Sequence, residues 1–179
     1  MIEIADLKDK GEIIQTNDDI RVSVCMVTYN QKKYIAQAIE SVLMQKTNFK
    51  FQLLIGDDAS TDGTTEIVRE YAEKYPDIIK PIFHKKNIGA GNNSISIYKK
   101  VNTEYVAVCD GDDYWIDEYK LQKQVDFLDK NKDFTGVFTR INVVKENGVE
   151  IDILPINYCI DMWKNKGFFT PYDFLQYYC

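Results

Sequence analysis

Histidine is almost absent from this chain: His84 is the only one in 179 residues. A Ser-His or Cys-His nucleophilic centre would rest wholly on that residue, and no GxSxG-type turn accompanies it. Cysteine is sparse as well. Cys25, Cys109, Cys159 and Cys179 show neither CxxC nor CxxH spacing, and two of them sit in apolar strand-like runs where a thiol acts as a small core residue. A zinc site and a disulfide framework are therefore not expected. No apolar run approaches the roughly 20 residues of a spanning helix. The opening MIEIADLKDKGE has no basic segment followed by an apolar one, so secretion is not expected either. Basic residues are outnumbered, 22 against 28 acidic, for a net charge of −6. With no basic stripe to offset phosphate repulsion, a nucleic-acid partner is excluded. An anionic nucleotide stays compatible, provided that a metal neutralises the contact.

What is present is ordinary globular composition, 45% hydrophobic and 28% charged, at a length suited to one domain with a substantial core. Residues 1–20 show little periodicity and read as an arm. Arg21 to Tyr29 is a buried strand by its β-branched content. Tyr34, Ile35, Ala38, Ile39, Val42 and Leu43 then mark one helix face. Strand character returns over Phe49 to Ile55, and Ser60, Thr61 and Asp62 offer caps for a second helix ending at Pro76. Ile78 to Phe83 is a third strand, Asn92 to Lys100 a third helix, and Tyr105 to Cys109 a fourth strand. Leu121, Val125 and Leu128 mark a further helix, followed by a strand over Gly136 to Ile141. Asn147-Gly148 between apolar pairs predicts a hairpin with a type I′ turn. Thr170-Pro171-Tyr172-Asp173 predicts a helix start that Cys179 cuts short, which suggests a fragment.

The alternation predicts an α/β fold: a mainly parallel sheet with helices on both faces and ligands at the strands' carboxyl ends. Four polar segments fall there: Thr28-Tyr29-Asn30, Asp57-Asp58, His84 to Asn87, and Asp110 to Asp113. The last packs three carboxylates into Asp110-Gly111-Asp112-Asp113. Mg2+ or Mn2+ on a diphosphate takes only one or two protein carboxylates, so the cluster suits a metal–diphosphate substrate. An acidic turn after a strand explains the same residues equally well. Gly89 to Ser94 mimics a dinucleotide fingerprint, but it follows the wrong strand and lacks the third small residue.

Taken in order, VSVCMVTYN (22–30), LLIGDDASTDGT (53–64), the Asn87-Ile88-Gly89 turn and YVAVCDGDDYW (105–115) resemble the family 2 glycosyltransferases of the GT-A fold. The resemblance covers about Arg21 to Ile141 and implies a Rossmann-like domain at 21–141 that binds a nucleotide-sugar donor, most often a UDP-sugar. Residues 142–179 would then be a hairpin and the start of an acceptor-side region. By that resemblance Tyr29 lies against the base, with Val27 and Thr28 lining its pocket. Asp58 accepts a hydrogen bond from the base, and Asp57 supports the turn or approaches the ribose. Lys86, with Lys85, lies near the diphosphate, and Asn93 is a weaker donor contact. Asp110 touches the ribose or the metal, Asp112 ligates a divalent cation (Mg2+ or Mn2+), and Asp113 stands behind them. Tyr114 and Trp115 wall the sugar site or pack in the core, and His84 is a strand-end polar residue near the ligand.

The implied reaction is inverting transfer of the sugar to an acceptor hydroxyl. Asp152, Asp161 and Asp173 are better explained as turn and cap residues, so the general base is expected beyond Cys179. The acceptor would be a carbohydrate or lipid-linked sugar, met in the cytoplasm or at the inner face of the membrane. Apolar residues within 158–178 leave self-association open. Two alternatives stay open. A sugar-phosphate nucleotidyltransferase wants a glycine-rich basic loop after the first strand, where Tyr29-Asn30-Gln31-Lys32 stands. A non-catalytic nucleotide-sugar-binding module could retain the same fold.

Overall fold

The computed structural model describes residues 20–139, 142–145 and 150–151. The chain divides into two units, residues 1–135 and 136–179. In the first, β1 (Ile20–Thr28), β2 (Lys50–Asp57), β3 (Ile79–Phe83) and β4 (Tyr105–Val108) form a sheet in the order β3-β2-β1-β4. Every pairing in it is parallel. Four helices alternate with and follow these strands: α1 (Ile35–Leu43), α2 (Thr64–Lys74), α3 (Ala90–Tyr98) and α4 (Lys120–Lys130).

Period-2 alternation sends β1 side chains to opposite faces. Val22, Val24 and Met26 join Leu53 and Ile55 of β2 under Ile35, Ile39 and Val42 of α1, Val68 of α2, and Leu121 and Val125 of α4. Cys25 and Leu54 point the other way and meet Ile97 of α3. Helices therefore cover both faces, as the alternating sequence predicts. Each fully buried aliphatic side chain contributes about 1.5–3 kcal/mol, and truncating Ile39 to alanine would cost about 2–5 kcal/mol. Because β2 and β3 lie on one side of β1 and β4 on the other, the strand order reverses at β1. That reversal opens a crevice at β1's carboxyl end.

Four local expectations change. The residue capping α2 is Gly63, not one of the three polar residues before it; Asp62 acts from one position further out, accepting the N–H and hydroxyl of Thr64. Helix α3 starts at Ala90, two residues before the expected Asn92. Residues 136–139 form no strand, although their apolar content reads as one. Phe138 is 77% exposed. Lastly, Asn147-Gly148 lies outside the described residues. The flanking strands β5 (Val143–Val144) and β6 (Glu150–Ile151) pair antiparallel as Val143↔Ile151 and Val144↔Glu150. A two-residue turn at Asn147-Gly148 requires Val144↔Ile151, one residue away. The helix expected at Thr170, together with Asp152, Asp161 and Asp173, also lies outside the described residues.

Candidate active site at the carboxyl edge of the sheet

Strand β1 ends at Thr28, which is 2% exposed. Its carbonyl accepts the N–H of Asp58 at 3.0 Å, which ties the ends of β1 and β2 together. Beyond β4, the N–H of Gly111 donates to the carbonyl of Val27 at 3.0 Å. A methyl group added at Gly111 would stand 2.5 Å from Gln31 Oε1 and 2.9 Å from Thr28 Oγ1. Only glycine lets the Asp110-Gly111-Asp112 backbone lie this close to β1. Thr28 is thus the hub at which the acidic turn and the Asp57-Asp58 turn meet.

The two neighbouring aspartates do different work. Ala59 sits at φ 60, a left-handed backbone that costs a non-glycine residue about 1–2 kcal/mol. Asp57 turns back along its own loop and accepts the N–H and hydroxyl of Ser60 and the hydroxyl of Thr65. Asp58 reaches across to the loop after β3. Its oxygens accept the N–H of Ile88 at 2.7 Å and of Gly89 at 2.9 Å. Those N–H groups lead into α3, so the Asp58 charge also meets the positive end of that helix. Each oxygen keeps a second lone pair for a ligand.

A cleft of about 180 Å3 opens here, lined by Val27, Thr28, Tyr29, Gln31, Asp58, Asn87, Gly89, Ala90 and Asn93. Four of the residues singled out in the sequence for nucleotide binding, Val27, Thr28, Tyr29 and Asp58, are brought together in its wall. Tyr29 is 47% exposed. Lys86 is exposed and stands one residue before the lining residue Asn87. Asp110, Asp112 and Asp113 are exposed around the buried Gly111, which lies against Thr28, and they are not among the residues that line the cleft. Sequence reasoning passed over Gln31, whose Oε1, like Thr28 Oγ1, is buried without a hydrogen-bond partner among the described residues. A glutamine three residues past a strand end gives no pattern to find it by.

Burial, and after it the carboxylates of Asp113 and Asp112, raises the pKa of Asp110; burial and then Asp112 raise that of Asp113. Like charges crowd one turn, and among the described residues no ion pair relieves them. Among the described residues no group of three or more His, Cys, Asp or Glu side chains forms a metal cage. A cation shared with a phosphate needs only one or two carboxylates, so Asp110 and Asp112 fit that kind of site. Nucleophilic thiol chemistry does not fit. Burial pushes Cys25 up to about 11, and burial with Asp113 pushes Cys109 up to about 12. Trp115 packs against the core, with Lys120 Nζ 4.3 Å from its ring centroid. No helix among the described residues is long and apolar enough to cross a membrane.

An open parallel sheet, helices on both faces and a polar cleft where the strand order reverses together make a doubly wound α/β domain with its crevice at the strands' carboxyl ends. More narrowly, the chain belongs to glycosyl transferase family 2, whose family model matches residues 23–177. It is 38% identical over 133 residues to the putative glycosyltransferase EpsE of Bacillus subtilis, covering 74% of this chain and 47% of that protein. Among solved structures it is similar to Staphylococcus aureus TarS (residues 1–349) in complex with UDP, at 31% identity and a TM-score of 0.56. That match covers 63% of this chain and 33% of the TarS chain. It is also similar to the Pyrobaculum calidifontis mannosyltransferase PcManGT in complex with GDP-Man and Mn2+, at 28% identity and a TM-score of 0.55, over 60% and 32% of the two chains. The chain spans between 39% and 53% of the length of curated relatives that it matches.

Proposed function

We propose that this chain is the donor-binding part of an inverting glycosyltransferase that moves a sugar from a UDP-sugar to an acceptor hydroxyl. The observation that carries this reading is the junction at Thr28. One residue touches both the cleft that holds Asp58 and Tyr29 and the turn that holds Asp110 and Asp112, so one extended ligand can reach both. In this reading the base stacks on Tyr29 and donates to the spare lone pair of Asp58. Val27 and Thr28 wall the ring, and Asp110 receives the ribose. Asp110 and Asp112 hold a divalent cation, Mg2+ or Mn2+, with Asp113 behind them and Lys86 toward the diphosphate. The cation supplies Lewis-acid stabilisation of the leaving diphosphate.

The chain's own contribution is binding and orientation. Asp57 fixes the β2 loop, and Asp58 fixes the loop before α3. Gly111 lets the carboxylates approach. A general base outside the described residues completes the inversion on a carbohydrate or lipid-linked acceptor. The loop after β1 favours this reading over nucleotidyl transfer. Asn30 accepts the N–H of Thr61 and donates its own N–H to Ser60, a pinned turn and not an open glycine-rich phosphate cradle. Titration calorimetry of the chain with UDP, with and without Mn2+, tests the proposal. The expected result is UDP binding strengthened about tenfold or more by Mn2+. UDP binding indifferent to Mn2+, or none at all, overturns it.

A further inference from the structure

Behind the cleft lies a buried polar chain that none of the roles above requires. Asn93, 1% exposed, lines the cleft from α3. Its Nδ2 donates to the Gly56 carbonyl at 2.8 Å, and its Oδ1 stands 3.1 Å from His84 Nε2. The Gly56 oxygen only accepts, so a turned-over amide would set two acceptors against each other at that distance. Oδ1 therefore faces His84, and since a carbonyl oxygen cannot donate, Nε2 must carry the hydrogen. Ser96 fits the same polarity: its hydroxyl donates to the Asn93 carbonyl at 2.7 Å and turns a lone pair to Nε2 at 3.1 Å. The fit is close. A methyl group at Gly56 would stand 2.1 Å from Asn93 Oδ1.

One hydrogen of the Asn93 amide is left over once Gly56 has taken the other. We propose that His84 is a positioning residue for base selection: through Asn93 it holds a fixed N–H donor beside the Asp58 acceptor in the cleft. That donor–acceptor pair matches the imide edge of uracil, where N3–H donates and the C4 carbonyl accepts. Cytosine presents the reverse at both positions, an acceptor N3 and a donor amino group, so it meets Asp58 as acceptor against acceptor. The inference rests on the reading of the cleft as a nucleotide site and names what that site selects.

Calorimetry of the chain with UDP and with CDP, in Mn2+, provides the test. The wild-type chain is expected to favour UDP. His84→Phe should weaken UDP binding about fivefold to tenfold and narrow the UDP/CDP ratio, whereas His84→Gln, which still donates to Asn93, should restore both. A His84→Phe chain that melts as the wild type does and keeps the ratio overturns the proposal. So does a loss in His84→Gln equal to that in His84→Phe, because a side chain that still donates to Asn93 would then have restored nothing. A wild-type chain that binds neither nucleotide removes the nucleotide reading and this inference with it. A wild-type chain that binds UDP and CDP equally removes this inference alone. Should His84→Phe fail to fold, the wild-type side-chain amide protons of Asn93 decide by NMR. One of the pair should shift on addition of UDP, and neither moving overturns the proposal.

Discussion

The two ends of the parallel sheet carry charge in opposite ways. At the amino end, Arg21 of β1 donates to Glu104 at 2.6 Å and to Asp129 of α4 at 2.9 Å, and lies over the rings of Phe49 and Tyr105. Tyr105 also donates to Asp129. Every charge there has an opposite partner; Arg21 and then Tyr105 hold the Asp129 carboxyl well below its usual range, and Asp129 and Glu104 raise the Arg21 guanidinium. At the carboxyl end, Asp110, Asp112 and Asp113 crowd together, the pKa values of Asp110 and Asp113 are driven up by burial and by neighbouring carboxylates, and two buried oxygens go unpartnered among the described residues. The amino end holds the fold and the carboxyl end keeps its electrostatic tension for a ligand. Sites commonly hold such unrelieved features, which the rest of the fold offsets.

The largest effect that would sharpen this contrast is at Asp58, a carboxylate that both lines the cleft and serves the fold. Asp58→Ala leaves the partly buried N–H groups of Ile88 and Gly89 without their acceptor. Denaturant unfolding should show a loss of about 2–4 kcal/mol, with nucleotide binding lost as well. Asp112→Asn should separate the two functions: the melting temperature stays within about 1 °C of wild type, while the Mn2+ enhancement of UDP binding falls by about tenfold or more. A large drop in stability there would erase the contrast.

At the other end, Arg21→Ala should lower the melting temperature by about 3–5 °C without touching nucleotide binding. It should also change the acid limb. Asp129 has a depressed folded pKa, so its contribution is present above the ordinary carboxylate pKa and is lost as pH falls through and below that range. Thermal melts between pH 7 and pH 3 should be less steep in Arg21→Ala. The smallest effect is Asp113→Asn, which removes a like charge from beside Asp110. Because the folded pKa values of both are raised, their repulsion grows as pH rises above the ordinary carboxylate range. The variant should therefore melt about 1–2 °C higher at pH 7, and the difference should vanish near pH 4.

Much of this was legible in the residue order. Strand and helix periodicity placed β1 to β4 and α1 to α4 within a few residues, because local alternation decides which face is buried. The gathering of Thr28-Tyr29, Asp57-Asp58 and Asp110–Asp113 on one edge follows from the parallel topology alone. What could not be read were contacts between distant segments. The start of α3 reads late because Gly89 and Gly91 argue against helix; it holds because a carboxylate thirty residues back accepts the N–H groups of Ile88 and Gly89. The apolar residues at 136–139 read as a strand because alternation is a local signal, whereas strand formation is settled by the tertiary setting. The Gly56–Asn93–His84 chain joins three elements, and each residue alone looks like an ordinary turn or surface residue.

The bond from Asp58 to the loop before α3 has a consequence for how a ligand would be received. That loop would otherwise have to be immobilised by whatever enters the cleft, at a cost of about 1–2 kcal/mol for each backbone residue fixed. Here the chain settles that entropy during its own folding. The amides of Ile88 and Gly89 should accordingly exchange with deuterium as slowly as the strands they sit beside, so that a guest meets a floor already set.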